Sequence, residues 1–458
     1  MEYVKKYKLQ IILPVLLAVV VLVATAMSNL FSDNSSSDYQ CSLGRKYLND
    51  LDYSGAILAY SNAIALDPTN TEARIGLAKA YSGKNEPDFA VQILTESLNE
   101  KKMNPDIAEA LMELYTERGD WGSVISILDI LLDQTDDEDY HEMLADVIAN
   151  MYARPHPISM GSAHELMLKD GTVMSRGQNV LGQLGITDGL GDRYFSTDTF
   201  APAGFSGVAE RVFCAGNTSY VIDDTGKLWA AGENRWGQIG NSYGLLSTAS
   251  GWFDVAGGEN TVYVCGDTGT AYVLKKDGTL YHSGAYSGQV LSVCTGLPTI
   301  SRISASEGYV YALGTNGVLY RNESRTPDSW QRLTSAAVRV TDYAACGSVY
   351  AWVDSDGRYM SMGTYYPGNW EYTNGGYLIP DTRIASLETN GNMLIYTDLN
   401  GVLYTADGSD PQKIEMDSTL VNLYSDAGNV YAVYESGTAL VWKKYETQYS
   451  IAAEPANG

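Results

Sequence analysis

"GQNVLGQLG" occupies residues 177–185 and returns as "GENRWGQIG" at 232–240, with Gly, Asn, Gly, Gln and Gly on the same five positions. Each copy follows the same grammar: a short apolar run, a turn ending in glycine, then a second run. A glycine-rich stretch of this kind is either a phosphate cradle or the corner of a structural repeat. The spacing of Gly177, Gly182 and Gly185 fits neither a P-loop nor a dinucleotide fingerprint, no Lys-Ser/Thr follows, and no helix is expected after it. The reading is therefore structural. Gly177, Asn179, Gly182, Gln183 and Gly185, with Gly232, Asn234, Gly237, Gln238 and Gly240, form two repeat corners whose amide side chains hydrogen-bond nearby backbone groups.

Working outward from the corners, the turn-bearing unit recurs seven times. Its turn glycines are Gly171, Gly226, Gly278, Gly317, Gly357, Gly401 and Gly437, where glycine supplies the positive φ of a hairpin turn. Strands such as "YVYAL" (309–313), "VYAWV" (349–353) and "VYAVY" (430–434) precede the turns. Successive turns lie 55, 52, 39, 40, 44 and 36 residues apart, each enough for a four-stranded sheet. Seven such units predict a closed β-propeller over 153–450, followed by a tail at 451–458.

The two best units, "GSAHELMLKDGTVMSRGQNVLGQLG" (161–185) and "GNTSYVIDDTGKLWAAGENRWGQIG" (216–240), resemble the regulator-of-chromosome-condensation repeat. The later five keep the hairpin and lose the Gly-Gln-Leu-Gly tail, so the resemblance is to a diverged propeller. It implies the fold. The nucleotide-exchange activity of that family's namesake does not follow from fold kinship, whereas secreted bacterial propellers of this class bind other proteins through a propeller face.

Residues 39–152 change register to helical spacing of Ala, Leu and Tyr, with breaks at 66–70, 101–105 and 134–138. Blocks 71–104 and 105–138 are both 34 residues long. Leu43, Gly44, Tyr47, Ala56, Tyr60, Ala63 and Pro68 resemble the tetratricopeptide signature, with Gln40 in place of its tryptophan. Three such repeats and a covering helix at 139–152 predict a short α-solenoid. The signature residues are packing residues; peptide binding, spacing and dimerisation all remain open.

The run "IILPVLLAVVVLVATAM" (11–27) has no charge and follows Lys5, Lys6 and Lys8. At 1.5 Å per residue it reaches roughly 25 Å, close to a bilayer core of ~30 Å. Residues 1–30 are read as a transmembrane signal anchor and 31–38 as a polar linker, with all that follows outside the membrane of a bacterial cell envelope. Cleavage after Ala24-Thr25-Ala26 is the competing reading, giving a secreted protein. The net charge of −25 is shared by both halves, 21 acidic against 8 basic residues over 39–152 and 31 against 19 over 153–458. Such a surface repels nucleic acid.

Five cysteines without a C-x-x-C pair form neither a disulfide framework nor a zinc site. His164 and His282 sit in strands and read as packed residues, Cys214, Cys265 and Cys346 as a recurring small buried position, and Asp223 and Asp224 as solvated turn tips. No catalytic residue, metal site or cofactor is assigned. The candidate partner surface is "MGTYYPGNWEYTNGGYLIP" (362–380), carrying Tyr365, Tyr366, Trp370, Tyr372 and Tyr377; such rings either anchor a partner or pack between blades. These features predict a non-enzymatic, membrane-anchored protein-interaction scaffold. The 34 tyrosines against 7 phenylalanines support an alternative, glycan or cell-wall binding, and a hydrolase or lyase in the propeller mouth is the third reading.

Overall fold

The computed structural model describes residues 36–98, 103–135, 137–186, 195–240, 248–267, 269–285, 288–323, 326–355, 359–362, 384–398, 400–407 and 411–453. Residues 11–27 and the aromatic stretch 363–380 lie outside them. Among the described residues no helix is long and apolar enough to cross a membrane. The chain divides into two compact units, residues 1–118 and 119–458.

Among the described residues the first unit contains five helices: α1 (Ser37–Asn49), α2 (Tyr53–Leu66), α3 (Thr71–Gly83), α4 (Pro87–Leu98) and α5 (Pro105–Glu117). Ser36, Asn70 and Asn104, each 34 residues after the last, cap the first helix of successive repeats. Asn70 Nδ2 also reaches back to Ser37 Oγ at 2.8 Å, and Asn104 Nδ2 to Thr71 Oγ1 at 3.4 Å, so each cap is tied to the previous repeat. The Tyr60 ring fills the gap between α1 and α3. A Cβ on Gly44 would sit 2.7 Å from that ring, and one on Gly76 would overlap it. Glycine is required at both positions because the ring occupies the space a side chain would need.

The second unit opens with α6 (Trp121–Thr135) and α7 (Glu138–Tyr152) and continues into seven antiparallel sheets. The division into units thus falls inside the block 105–138, between α5 and α6. Six sheets have four strands and the fifth has three among the described residues. The first strands of the sheets pack on one another as the inner ring: Ile158–Met160, Ala209–Ala215, Thr261–Gly266, Ile300–Ser306, Val340–Cys346, Ile384–Thr389 and Leu420–Asp426. This is a seven-bladed β-propeller.

Two repeat marks explain its regularity. The third residue of the second strand is a fully buried tyrosine in five blades: Tyr220, Tyr272, Tyr311, Tyr396 and Tyr431. Much of the tyrosine surplus is therefore core, where a ring supplies a large apolar area. The second mark is a β-bulge at the start of the inner strand, seen at Ala209/Arg211, Ile300/Arg302, Val340/Asp342, Ile384/Ser386 and Leu420/Asn422. A bulge re-aims the side chain that follows it, here Arg211, Arg302, Asp342, Ser386 and Asn422.

The ring closes without a shared strand, since the first blade is built wholly from its N-terminal strands and the seventh ends in Tyr449–Ala453. Ile158 packs with Tyr424, Tyr431, Val433, Ala439 and Val441 across the seam. Tyr424 donates to Ile158 O at 2.9 Å. Ser159 Oγ donates to the buried Asp426 carboxylate and accepts from Cys214 N at 2.7 Å, joining blades seven, one and two. Met160 N also donates to Asp426, at 3.3 Å.

Burial pushes the Asp426 carboxyl from 3.8 up to about 7, against the lowering effect of its two donors. Between those pH values the folded chain keeps a proton that the unfolded chain has lost, so this group's contribution to stability falls as pH rises from 3.8 to 7 and is level above. Asp426→Asn keeps an acceptor for Ser159 and Met160 without the charge. Urea unfolding should find it more stable than wild type by roughly 1–4 kcal/mol at pH 8, with the two proteins converging near pH 4.

Candidate functional site

The two corner loops are fastened by their own amides. Asn179 Oδ1 accepts from Leu184 N and its Nδ2 donates to Ile186 O, both at 2.8 Å, while Gln183 Oε1 accepts from Leu181 N at 2.8 Å. In the second copy Asn234 accepts from Ile239 N at 3.1 Å and Gln238 from Trp236 N at 2.9 Å. Gly177, Gly182, Gly185, Gly232, Gly237 and Gly240 all have positive φ. The corners also tie neighbouring blades: Ser219 Oγ donates to Gln183 O at 2.5 Å, and Ser283 Oγ to Gln238 O at 2.9 Å. The amide oxygens of all four corner side chains are thus turned on the protein's own backbone.

His156, His164, His282 and the five cysteines are likewise internal, while His141 is exposed. Burial lowers His156 to about 3 and His164 to about 4; His164 Nε2 lies 2.8 Å from Ser219 Oγ. All five cysteines are buried and free. Cys214 and Cys265 are the penultimate residues of their inner strands and Cys346 the last of its own. Asp223 is not a solvated tip: it is 7% exposed and accepts from Thr225, Lys227 N and Trp229 Nε1. Among the described residues, no three His, Cys, Asp or Glu side chains are grouped to hold a metal ion.

The two ends of the propeller channel differ. At one end α6 and α7 dock on the inner strands. A Cβ on Gly122 would overlap the Thr341 carbonyl, Tyr152 OH donates to Ser301 O at 3.2 Å, Arg211 donates to Tyr152 O at 2.7 Å, and Lys276 pairs with Asp146 at 2.7 Å. Beneath the helices lies a cavity of about 120 Å³ that the five post-bulge residues help to line. Arg302 pairs there with both Asp342 and Glu388, linking blades four, five and six, and its guanidinium lies 4.9 Å from the Tyr343 ring. Burial works against the Arg302 charge, but the two carboxylates raise its pKa. One cation cannot fully offset two buried carboxylates, and burial pushes Glu388 up to about 7.

The opposite mouth is an open basin of about 650 Å³ formed by the turns after the inner strands, including Asp267, Glu307, Tyr309 and Asn429. Blade seven reaches into it. Lys444 Nζ pairs with Glu307 of blade four at 2.6 Å and Tyr445 OH donates to the same carboxylate. Although burial opposes the Glu307 charge, these partners hold its carboxyl below the ordinary value. The strand Tyr359–Met362 ends on this side, since Met362 pairs with Tyr350 next to the turn at Gly347. The stretch carrying Tyr365, Tyr366, Trp370, Tyr372 and Tyr377 starts from that point but lies outside the described residues.

The sequence reading missed the post-bulge ring. Its signal is faint but present: a polar residue followed directly by an apolar one, five or six positions before the glycine that turns into the second strand, as in "RVFCAG" and "RISASEG".

A tetratricopeptide-repeat family model matches residues 50–111. No curated protein sequence matches the chain. Among solved structures, human WBSCR16 is similar at 15% identity over 58% of this chain and 84% of its own, with a TM-score of 0.46. Yeast RCC1 (Prp20), solved with Kap60, shows 16% identity over 59% and 78%, with a TM-score of 0.44. BamB from Moraxella catarrhalis shows 12% identity over 64% and 84%, with a TM-score of 0.33. At these identities and scores the likenesses transfer no activity to this chain.

Removing Arg302 leaves Asp342 and Glu388 buried without their cation. Arg302→Met should lower stability at pH 8 by about 3–5 kcal/mol. Part of that loss should return at pH 5, where Glu388, pushed by burial up to about 7, takes up a proton. Urea midpoints at the two pH values check both the size and the sign.

Proposed function

We propose that the chain is a non-enzymatic protein-interaction scaffold, anchored through residues 11–27 with both units outside the membrane of a cell envelope, and that a protein partner docks on the open mouth of the propeller. The observation that carries this reading is the contrast between the channel ends. One end is occupied by the protein's own helices, while the other presents an open polar basin beside the origin of the aromatic stretch 362–380. The tetratricopeptide match at 50–111 adds a second repeat module of a kind built for surface contacts. Glycan binding loses part of its compositional support, because five of the tyrosines are fully buried, one inside each of five blades.

The test is crosslinking capture from envelope membranes using the full chain, beside a variant with Tyr365, Tyr366 and Trp370 changed to Ala. A protein captured by the wild type and lost in the triple variant is the expected result. Retention on insoluble wall polysaccharide, with no protein captured by either form, would contradict the scaffold and favour glycan binding.

A further inference from the structure

The cavity under α6 and α7 is built for more than packing. Its volume of about 120 Å³ is several times the roughly 10–15 Å³ that admits one water. Four buried polar atoms on its walls have no hydrogen-bond partner: Trp121 Nε1, His156 Nε2, Ser304 Oγ and Glu388 Oε2. His156, Ser304 and Glu388 are 4%, 9% and 2% exposed. Ser425 is near enough to ease the Glu388 charge but not in hydrogen-bond geometry with Oε2. Native proteins rarely leave such atoms unpaired, and four around one cavity point to an occupant.

The chemistry of the walls selects its class. Arg154, also on the wall, makes no hydrogen bond or ion pair among the described residues. It stands beside Gly119, where an added Cβ would lie 2.9 Å from its Nη2, and so shares the helix side with Trp121. That side offers a guanidinium fork and an indole N–H, both donors, suited to a carboxylate. The strand side offers acceptors. His156 Nδ1 lies 2.8 Å from Val212 O and carries the proton, which leaves Nε2 a bare lone pair; Glu388 Oε2 adds a second acceptor. Between them the Phe213 and Tyr424 rings, 4.6 and 4.0 Å from the His156 ring, give an apolar floor. Arg302 is held by Asp342 and Glu388, and Arg211 pairs with Glu210 at 3.7 Å, which leaves Arg154 as the lining cation without a carboxylate in contact.

We propose that this cavity binds a small carboxylic acid that also carries an N–H or O–H donor, of the amino-acid or hydroxy-acid class, with its carboxylate toward Arg154 and Trp121 and its donor toward His156 and Glu388. This site is separate from the open mouth and does not depend on the scaffold reading.

The test is titration calorimetry and thermal unfolding of the purified full chain with glycine, glycolate, glycinamide and acetate, each at millimolar concentration. Glycine or glycolate should bind and raise the unfolding midpoint. Glycinamide, which lacks the carboxylate, should not bind, and acetate, which lacks the donor, should bind about tenfold or more weakly. Arg154→Ala and Trp121→Phe should each weaken binding roughly tenfold or more. If Arg154→Ala fails to fold, Arg154→Lys keeps the charge without the fork and should still lose affinity. Absence of binding by both glycine and glycolate would overturn the assignment. So would binding unchanged by both substitutions, or a crystal structure soaked in glycine that shows only ordered water bridging the four atoms.

Discussion

The second unit depends on a seam that no backbone ladder crosses. Each blade is folded from consecutive strands, and the ring is held shut by side chains alone: Ile158 in the pocket of Tyr424 and Tyr431, and Ser159 between Asp426 and Cys214. The channel and both mouths exist only while that seam holds. Hydrophobic area does most of the work, since the seam cluster contains six buried side chains, of which Ile158, Val433 and Val441 contribute on the order of 1.5–3 kcal/mol each when fully buried. The Asp426 network is smaller and serves alignment, as it fixes the level at which the first inner strand meets the seventh. Its carboxyl favours the protonated form because burial outweighs two donors.

The channel ends show how a repeat can be specialised. The bulge recurs in five inner strands, yet the residues it aims differ: Arg211, Arg302, Asp342, Ser386 and Asn422. A uniform ring of arginines would repel itself. The mixed ring instead lets Arg302 bridge two carboxylates, and α6 and α7 cover the result. At the other end, Glu307, Lys444 and Tyr445 link blades four and seven across an open basin. The end farther from the helices is therefore the one left accessible.

Much of the architecture was legible in the sequence, because hairpin glycines, the twice-written corner and the 34-residue block are local signals. Asn179 and Gln183 belong to this class: they bond to atoms within seven residues of themselves. What could not be read depends on closure. Nothing near Ser159 in the chain announces Asp426, 267 residues away, and the Arg302–Asp342–Glu388 group assembles from three blades. The division between units was illegible for a similar reason. A 34-residue period marks α6 as repeat helix, but Gly122 and Tyr152 make their close contacts with Thr341 and Ser301, and local spacing carries no trace of that. Asp223 misled because a turn position usually means exposure, while here Trp229 Nε1 closes over it at 2.7 Å.

The central claim is that α6 and α7 are part of the propeller and close one end of its channel. Hydrogen–deuterium exchange on the full chain tests it most directly, because cooperative units share an opening free energy. The account predicts that amides of 123–134 and 141–152 exchange as slowly as those of the inner strands 300–306 and 340–346. Exchange of these helices together with 37–117, while the inner strands stay protected, would contradict it.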